Sequence, residues 1–418
     1  MTKSSRSSTE NGWPSIRIDS VGAVQGGRQR SEKIVNGTMQ KYLRVANVFD
    51  GFIDYSDVLE MPFTESERTI YYLKPGDILL NEGQSLELVG RSAIYDGKQN
   101  EYCFQNTLIR FRPSTNISSQ FALQVFRHFL HTGKFAAIAA RTTSIAHLGV
   151  ERFASMHMPL PPLAEQKAIA GVLSAWDRAI GQATALIAAK KRLKQGLMQQ
   201  LLTGKRRFKG FKGEWRECQI GDVLQEVRRY VTVEDDTQYR LVSVRRNSGG
   251  LFDREPRPGR EIGYSKLMTV EDGDFLIARR QVIHGAMTIV RKRFHGALVS
   301  DAYATLVPKR KGDLHMPFLD VLSRMPRMYY SAFRCSYGVA IEKMVFHLEW
   351  FLRETIHIPP TIDEQVKLAS MFTDADREIK HLQRRVTSLQ KQKRGLMQKL
   401  LTGEVRVTDK LLKQGAKP

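Results

Sequence analysis

Apolar residues recur every three or four positions in two long segments of the chain. The first stripe consists of Trp176, Ile180, Ala183, Ile187, Leu197 and Leu201. The second stripe consists of Ala375, Ile379, Leu382, Val386, Leu389, Leu396 and Leu400. Alternating steps of four and three residues are typical of a coiled-coil seam rather than of a broad amphipathic face. The pattern therefore predicts two long helices with a narrow apolar seam.

Two lysines interrupt these stripes at equivalent places. Lys194 and Lys393 occupy seam positions, where a polar side chain costs stability but can fix the register. The segment between the helices must return the chain from the end of the first to the start of the second. We therefore expect an antiparallel pair that holds two globular domains at opposite ends, related by an approximate twofold axis. The alternative is that each helix packs only on its own domain, which would favour a broader apolar face.

The segments that carry the stripes are copies of one another. Residues 161–204 align without gaps with residues 360–403, an offset of 199 positions. One copy begins at PLPPLAEQ and ends in KQGLMQQLLTG, and the other begins at IPPTIDEQ and ends in KRGLMQKLLTG. Among the identical pairs is Asp177 with Asp376. The sequence thus contains an internal repeat, which organises the whole chain.

The regions outside the two helices keep shorter landmarks in a common order. Gly76-Asp77 matches Gly273-Asp274, and Gly90 matches Gly285. Short β-rich runs alternate there with Gly-Asp and Pro turns, and helices are expected over 119–131 and 316–335. The predicted fold class is α/β in the mixed α+β sense. The predicted boundaries are 1–158 and 205–357 for two mixed domains, 159–204 and 358–404 for the spacer helices, and 405–418 for a basic tail expected to be disordered.

Charge points to a polyanionic partner. The chain has 65 Lys and Arg residues against 43 Asp and Glu, a formal charge of +22. Such a balance is typical of nucleic-acid binding, although it also serves solubility. Residues 205–357 alone carry 28 basic and 19 acidic side chains, with arginine pairs at 245–246 and 279–280. Arginine can donate two parallel hydrogen bonds to a phosphate or to a guanine edge.

Catalytic motifs are not found in the sequence. It has no GxxxxGK[ST] loop, HExxH or CxxC, and no (N/D)PP(Y/F) motif of amino-methyltransferases. The acids Asp77, Glu82, Asp272 and Asp274 fit turns before strands better than a nuclease metal site. Three scattered cysteines, a polar N-terminal segment and the lack of an apolar run of roughly 18 residues favour a cytoplasmic protein without membrane association. We expect no catalysis and no bound cofactor or metal.

Two different domains, each followed by a PLPPLAEQ-like segment and a helix ending in KxGLMQxLLTG, resemble the specificity subunits of type I restriction–modification systems. The resemblance covers essentially the whole chain. It implies two target-recognition domains that each read one half of a bipartite, asymmetric sequence in double-stranded DNA. It also implies helices that set the spacing and dock two modification (methyltransferase) subunits, with restriction motor-nuclease subunits joining them. S-adenosylmethionine, ATP and Mg are then expected on those partners.

Base-reading residues are expected in the loops after the Gly-Asp strands, in the arginine pairs and in the loops before the proline-rich segments. Glutamine suits adenine and arginine suits guanine, while most basic groups are expected on phosphates. The candidates for DNA contacts are Asn81, Gln84, Ser85, Arg91, Arg141, Thr142, Thr143, Ser144, Arg245, Arg246, Arg279, Arg280, Gln281, His284, Tyr337 and Gly338. The candidates for contacts within the coiled coil or with other subunits are Glu165, Gln166, Trp176, Ile180, Ile187, Leu197, Leu201, Glu364, Gln365, Ile379, Leu382, Val386, Leu389, Leu396 and Leu400.

Two other functions stay open from the sequence. The chain could be a free-standing DNA-binding regulator, or a coiled-coil scaffold or RNA-binding protein. The repeated polar pairs 165–166 and 364–365 favour a shared partner contact over both. Neighbouring reading frames for a methyltransferase and a helicase-nuclease would separate these alternatives.

Overall fold

The structure is a computed structural model that describes residues 12–29, 37–142, 145–263, 266–341 and 344–407. The chain forms two compact units. Unit 1 comprises residues 1–184 and 385–418, and unit 2 comprises residues 185–384. The division passes through the middle of both long helices, whereas the domain boundaries drawn from the sequence lie at helix ends and stay predictions. Of the predicted tail, the part from residue 408 onwards lies outside the described residues.

Unit 1 is a mixed domain built on an antiparallel sheet. Its helices are α1 (Glu65–Tyr71), α2 (Ser119–His131), α3 (Lys134–Ile138), α4 (Val150–Ser155) and the first part of α5 (Leu163–Leu201). Its strands are β1 (Ser15–Arg17), β2 (Gly22–Gly26), β3 (Thr38–Leu43), β4 (Leu59–Phe63), β5 (Ile78–Asn81), β6 (Gly83–Gln84), β7 (Ser92–Ile94), β8 (Cys103–Phe104), β9 (Leu108–Pro113), β10 (Ala140–Arg141), β11 (Ala146–His147) and β12 (His157–Pro159). The sheets have the orders β2-β9-β5-β7, β4-β3-β8, β10-β11-β6 and β1-β12.

Unit 2 repeats the main parts of this layout. Its helices are α6 (Ile220–Val223), α7 (Met316–Leu322), α8 (Pro326–Arg334), α9 (Leu348–Leu352) and the first part of α10 (Ile362–Thr402). Its strands are β13 (Arg216–Gln219), β14 (Leu224–Val227), β15 (Tyr230–Val231), β16 (Gln238–Tyr239), β17 (Val242–Val244), β18 (Leu251–Asp253), β19 (Arg257–Pro258), β20 (Leu267–Thr269), β21 (Phe275–Ala278), β22 (Met287–Ile289), β23 (Leu298–Ser300), β24 (Tyr303–Pro308), β25 (Ser336–Tyr337), β26 (Val345–Phe346) and β27 (Thr355–Ile358). The four-stranded sheet β14-β24-β21-β22 matches β2-β9-β5-β7, and β25-β26 matches β10-β11.

Each unit buries the start of one long helix and the end of the other in its own core. In unit 1, Leu173 of α5 and Leu400 of α10 join the cluster formed by the central sheet and α2. In unit 2, Phe372 of α10 and Leu201 of α5 join the cluster around α7 and α9. Burial of large apolar side chains contributes about 1.5–3 kcal/mol each. The mixed domains are therefore packed onto the helices rather than tethered to them.

The seam predicted from the sequence is confirmed. The apolar stripe residues are buried or half-buried along both helices, and most of the positions between them are exposed. The helices run antiparallel within each unit. In unit 2, Lys190 of α5 pairs with Glu378 of α10 at 2.7 Å. In unit 1, Lys393 of α10 pairs with Asp177 of α5 at 2.7 Å.

The predicted helix over 119–131 is confirmed, but the stretch from 316 to 335 is not one helix. It divides into α7 and α8, because Pro326 cannot continue a preceding helix and instead occupies the first turn of α8. The matched Gly-Asp turns are real, since Gly76 and Gly273 have φ of +94° and +93°. Glycine adopts this left-handed conformation without steric cost, which explains why it recurs before both buried strands.

Candidate nucleic-acid interface

Two candidate loops of unit 1 form one small sheet. Strand β11 pairs with β6, so that Ala146 lies opposite Gln84, and β10 pairs with β11 on its other side. His147 Nδ1 lies 3.0 Å from a Glu82 carboxylate oxygen, which fixes the two loops further. Arg141 and Thr142 are exposed at the end of the hairpin. The sequence placed these loops about sixty residues apart; folding makes them one surface.

The candidate DNA-contacting residues in and around the loop between β5 and β7 differ in how deeply they are buried. Gln84 and Ser85 are half-buried at its edge, and Asn81 is fully buried. The Asn81 side chain donates to the Val48 carbonyl at 3.4 Å, so it supports the loop from inside and does not reach solvent. Thr143 and Ser144 lie outside the described residues. Arg91 is half-buried, with its guanidinium over the Phe49 ring at 4.7 Å.

Unit 2 brings its two arginine-rich loops together through the backbone. The Asn247 amide donates to the His284 carbonyl at 2.7 Å, and the Ser248 amide donates to the Gly285 carbonyl at 2.9 Å. Arg246 Nε donates to the Gln281 side-chain oxygen. Arg245 is exposed and lies over the Phe252 ring at 4.7 Å. Residues 245–248 and 281–285 therefore form a continuous polar surface with two exposed arginines.

The pair Arg279 and Arg280 has two different environments. Arg279 Nη2 donates to Glu226 at 2.6 Å, and Glu226 also pairs with Arg228 at 2.8 Å. Arg280 is exposed and makes no ion pair with any residue that the structure describes. Arg280 is consequently the better placed of the two to contact a phosphate or a base, since Arg279 would first have to leave its carboxylate.

The two hairpins before the long helices expose different side chains. The hairpin β25–β26 exposes Tyr337, Val339 and Ile341 with exposed fractions of 74%, 108% and 58%. Gly338 is exposed between them. The matching hairpin β10–β11 presents the polar Arg141 and Thr142, with Ile145 as its exposed apolar residue. An apolar tip can contact thymine methyl groups or wedge between base steps, whereas a polar tip can donate hydrogen bonds.

Unit 1 contains a buried ionic junction between its mixed domain and both long helices. Asp177 of α5 accepts from Arg127 of α2 at 2.7 Å and from Lys393 of α10 at 2.7 Å. Gln124 of α2 also donates to Asp177, at 3.1 Å. Burial opposes ionisation of Asp177, but these donors outweigh it and hold its pKa below the usual value. The seam residue Lys393 thus neutralises an aspartate that also binds Arg127 of the mixed domain.

Unit 2 has the equivalent junction in the reverse helix order. Asp376 of α10 accepts from Arg324 at 2.5 Å and from Lys194 of α5. Arg324 also bonds to Asp320 at 2.7 Å, an acid that is itself buried. The identity of the two aspartates and the two seam lysines was visible in the sequence repeat. The arginines were missed, because they lie 197 rather than 199 positions apart and so fall outside the gap-free alignment.

The repeated Glu-Gln pairs turn inward. Gln166 accepts from the Ser118 amide at 2.9 Å, and Gln365 accepts from the His315 amide at 2.8 Å, so each ties a long helix to its mixed domain. Glu364 is buried against Arg207 at 2.6 Å. Glu165 pairs with Arg406 at 2.9 Å. This burial does not fit the expectation that these residues face a shared partner.

Asp77 and Asp274, two of the acids considered above as nuclease metal ligands, instead stabilise turns before strands. Asp77 accepts two bonds from Arg112 at 2.7 Å and one from the Lys74 amide at 2.8 Å. Asp274 accepts in the same way from Arg229 and from the Glu271 amide. Within the described residues, no group of three His, Cys, Asp or Glu side chains is arranged to hold a metal ion. In the same residues, no helix is long and apolar enough to cross a membrane.

Comparison with known proteins gives one consistent result. Residues 10–189 match a family model described as the type I restriction modification DNA specificity domain. A Methanocaldococcus jannaschii protein assigned as the type I restriction enzyme MjaX specificity subunit is 26% identical over 387 residues, 87% of each chain. The Escherichia coli type I restriction enzyme EcoKI specificity subunit is 25% identical over 293 residues, 64% of this chain and 61% of that one.

Solved structures agree on the fold. The crystal structure of the type I restriction-modification S subunit from M. genitalium superposes with a TM-score of 0.56 at 14% identity. The match covers 98% of this chain and 99% of that one. A chain from a study of complex assembly and conformational transition in the type I R-M system superposes with a TM-score of 0.58 at 15% identity, over 96% of this chain and all of that one. The fold is therefore shared along the full length.

Proposed function

Because this chain belongs to the specificity subunits of type I restriction–modification systems, we propose that each of its units reads one half of a gapped, asymmetric sequence in double-stranded DNA. The observation that carries this proposal is the pair of matched surfaces with different chemistry. Each unit has a hairpin before a long helix and a loop after the Gly-Asp strand. The polar tip of one hairpin and the apolar tip of the other favour two different half-sites.

The spacing between the half-sites is assigned to the two long helices. Each mixed domain is bound to both helices through its ionic junction at Asp177 or Asp376, and through the inward-facing Gln166 or Gln365. Readers held on stiff elements contact separated groove segments and leave the bases between them unread. In this proposal the length of the two helices sets the gap between the half-sites.

Docking of two methyltransferase subunits is assigned to the outer faces of the helices. Leu186 and Leu193 of α5 are exposed by 46% and 62%. Clustered large apolar side chains that face water usually mark a contact surface. The equivalent positions of α10 are Arg385 and Gln392. The two faces thus offer different chemistry to their partners. S-adenosylmethionine, ATP and Mg belong in this proposal to the methyltransferase and motor-nuclease subunits, and the chain itself performs no catalysis.

The test is methylation mapping. The full chain is produced with its candidate methyltransferase subunit in a host free of DNA methylation, and the genome is sequenced for N6-methyladenine. We expect a single gapped motif that disappears when this chain is omitted. A soluble complex that leaves the genome unmethylated, or a chain that binds DNA tightly but forms no complex, contradicts the proposal and favours a free-standing DNA-binding regulator.

A further inference from the structure

Three flat side chains of unit 1 form a stacked column at its surface. The Phe49 and Phe52 rings lie 5.0 Å apart with their planes at 7°. The Arg91 guanidinium carbon lies 4.7 Å from the centre of the Phe49 ring. Phe52 is 57% exposed. The column therefore begins with a cation and ends in a large aromatic ring that is open to solvent.

The column is held by the backbone and is not a loose loop. The Phe49 amide donates to the Phe52 carbonyl at 3.0 Å, and the Gly51 amide donates to the Ser92 carbonyl at 2.9 Å. Gly51 has a φ of +90°, which glycine tolerates and other residues rarely adopt. The turn is thereby tied to strand β7. An exposed phenylalanine fixed in this way keeps its ring orientation, and burying its exposed surface in a contact would lower the free energy.

The column also adjoins the candidate DNA surface. The Asn81 amide donates to the Arg91 carbonyl at 2.9 Å, and the Gly90 amide donates to the Asn81 carbonyl at 2.9 Å. These bonds close the loop between β5 and β7, which is the loop that carries Gln84 and Ser85. Anything that contacts the polar edge of this loop lies near the column.

Arg91 differs from several half-buried or buried arginines of this unit in its partners. Arg28, Arg112 and Arg127 are engaged by carboxylates, and Arg110 by carbonyls. Arg91 makes no ion pair with the residues that the structure describes, and its Nε has no hydrogen-bond partner among them. Burial lowers its pKa, and the charge of Asp50 opposes this shift. The Arg91 guanidinium thus keeps a positive charge at the inner end of the column, with its Nε buried.

We propose that the open face of Phe52 binds an unpaired nucleobase of DNA by stacking, with Arg91 supplying positive charge at the other end of the column. A nucleobase has the flat faces that continue such a column, and base–aromatic stacking tolerates any of the four bases. The phosphates on either side of the base favour a site that carries positive charge. This inference rests on the proposed function, since it requires that the loop between β5 and β7 face DNA.

The test compares two duplexes of identical sequence, one fully paired and one with a single unpaired thymine. Binding of the full chain is followed by fluorescence anisotropy at low salt. We expect the wild-type chain to prefer the duplex with the unpaired base by roughly fivefold to tenfold, because a base stacked on an aromatic ring adds to the binding free energy. Phe52→Ala removes this preference and leaves binding of the paired duplex unchanged, and Phe52→Trp retains it. Ile70→Ala, which truncates another exposed apolar side chain of unit 1, keeps the wild-type preference.

A cross-link locates the contact directly. The unpaired thymine is replaced by 5-iodouracil, irradiated in the complex, and the attached peptide is identified by mass spectrometry. A cross-link at Phe52 supports the inference, and cross-links only at other residues overturn it. If both duplexes bind equally well, this inference fails and the proposed function stands. If neither duplex binds, both fail. If the chain shows no preference for either duplex and Phe52→Ala abolishes methyltransferase binding, the ring makes a protein contact and the inference is overturned.

Discussion

Unit 1 and unit 2 each contain an ionic junction that binds the mixed domain to the long helices, but the two units expose different side chains. The junction of unit 1 uses Asp177, and that of unit 2 uses Asp376, with the same kinds of partner. The hairpin tips differ in the side chains that they expose, since one presents Arg141 and the other presents Val339. The repeat therefore preserves the contacts that position the domains and varies the hairpin side chains that we propose to contact DNA. Under the proposed function, substitutions in the hairpins would change the recognised DNA sequence without changing how each mixed domain is held on the helices.

The junctions themselves differ in burial. In unit 1, the Lys393 and Arg127 side chains are 5% and 10% exposed. In unit 2, Lys194 and Arg324 are 17% and 25% exposed. A charge that loses its partner costs more where water cannot reach it. The same substitution should consequently have unequal effects in the two units.

The largest predicted effect is that of removing the junction aspartates. Asp177→Ala leaves the buried Lys393 without a carboxylate partner, whereas Arg127 keeps Asp50, and should lower the free energy of unfolding by about 3 kcal/mol. Asp376→Ala should cost only about 1–2 kcal/mol, because its partners are more exposed and Arg324 keeps Asp320. Denaturant unfolding of both variants measures the difference.

The control for this pair is Asp374→Ala, which removes an exposed helical ion pair with Arg377 and should change stability by less than about 0.5 kcal/mol. Equal losses in Asp177→Ala and Asp376→Ala would show that burial does not distinguish the junctions.

Acid sensitivity should come mainly from unit 1, although burial also lowers the pKa of His315 in unit 2. Burial lowers the pKa of His128 to about 4, from an ordinary value of 6.5, with Lys134 and His131 adding to the shift. The unfolded chain therefore binds a proton at His128 before the folded chain does. Stability due to the neutral ring is full above pH 6.5 and falls as the pH drops towards 4, by about 2–3 kcal/mol.

Unit 2 supplies the control for this effect. The residue after Arg324, equivalent to His128, is the buried Met325. His128→Met should flatten the loss of stability between pH 6.5 and 4, as measured by thermal melting at several pH values. The same pH dependence in wild type and His128→Met would assign the acid sensitivity to other groups.

The hairpins should differ in how salt affects their contribution to DNA binding. Arg141→Ala removes a cation and should reduce the slope of log affinity against log salt by about 1. Val339→Ser should weaken binding by about 1 kcal/mol without changing the slope, since an apolar contact releases no counterions. Titrations at several salt concentrations separate the two effects, and identical slopes for wild type and Arg141→Ala would contradict a phosphate or base contact there.

The smallest predicted effect separates the neighbours Arg279 and Arg280. The double change to alanine should weaken DNA binding, and most of the loss should come from Arg280, which is exposed and free of ion pairs among the described residues. Arg279→Ala alone should cost less than about 0.5 kcal/mol of binding, because Arg279 is held by Glu226. Unchanged affinity and salt slope in the double variant would remove this segment from the interface.

The seam, the antiparallel pairing and the mixed domains could be predicted because each depends on local periodicity or on the repeat. The candidate DNA surface was predicted only in part. The pairing of β6 with β11 joins residues distant in sequence, so periodicity gives no sign of it. Asn81 and Gln166 were chosen as polar residues in loops or helix starts, yet both are buried, because a buried turn or helix start needs internal hydrogen bonds. The stacked ring of Phe52 was missed, since the segment NVFDGFIDY, which contains both Phe49 and Phe52, follows neither a helix nor a strand period.

The central claim, that two units read two half-sites, is tested most directly by mapping methylation with two altered hairpins. The full chain carrying Arg141→Ala with Thr142→Ala, and the full chain carrying Tyr337→Ala with Val339→Ser, are each produced with the candidate methyltransferase subunit, and their methylated motifs are compared with that of the wild type. The account predicts a gapped wild-type motif in which each variant relaxes a different half. A contiguous motif, or two variants that relax the same half, would contradict it.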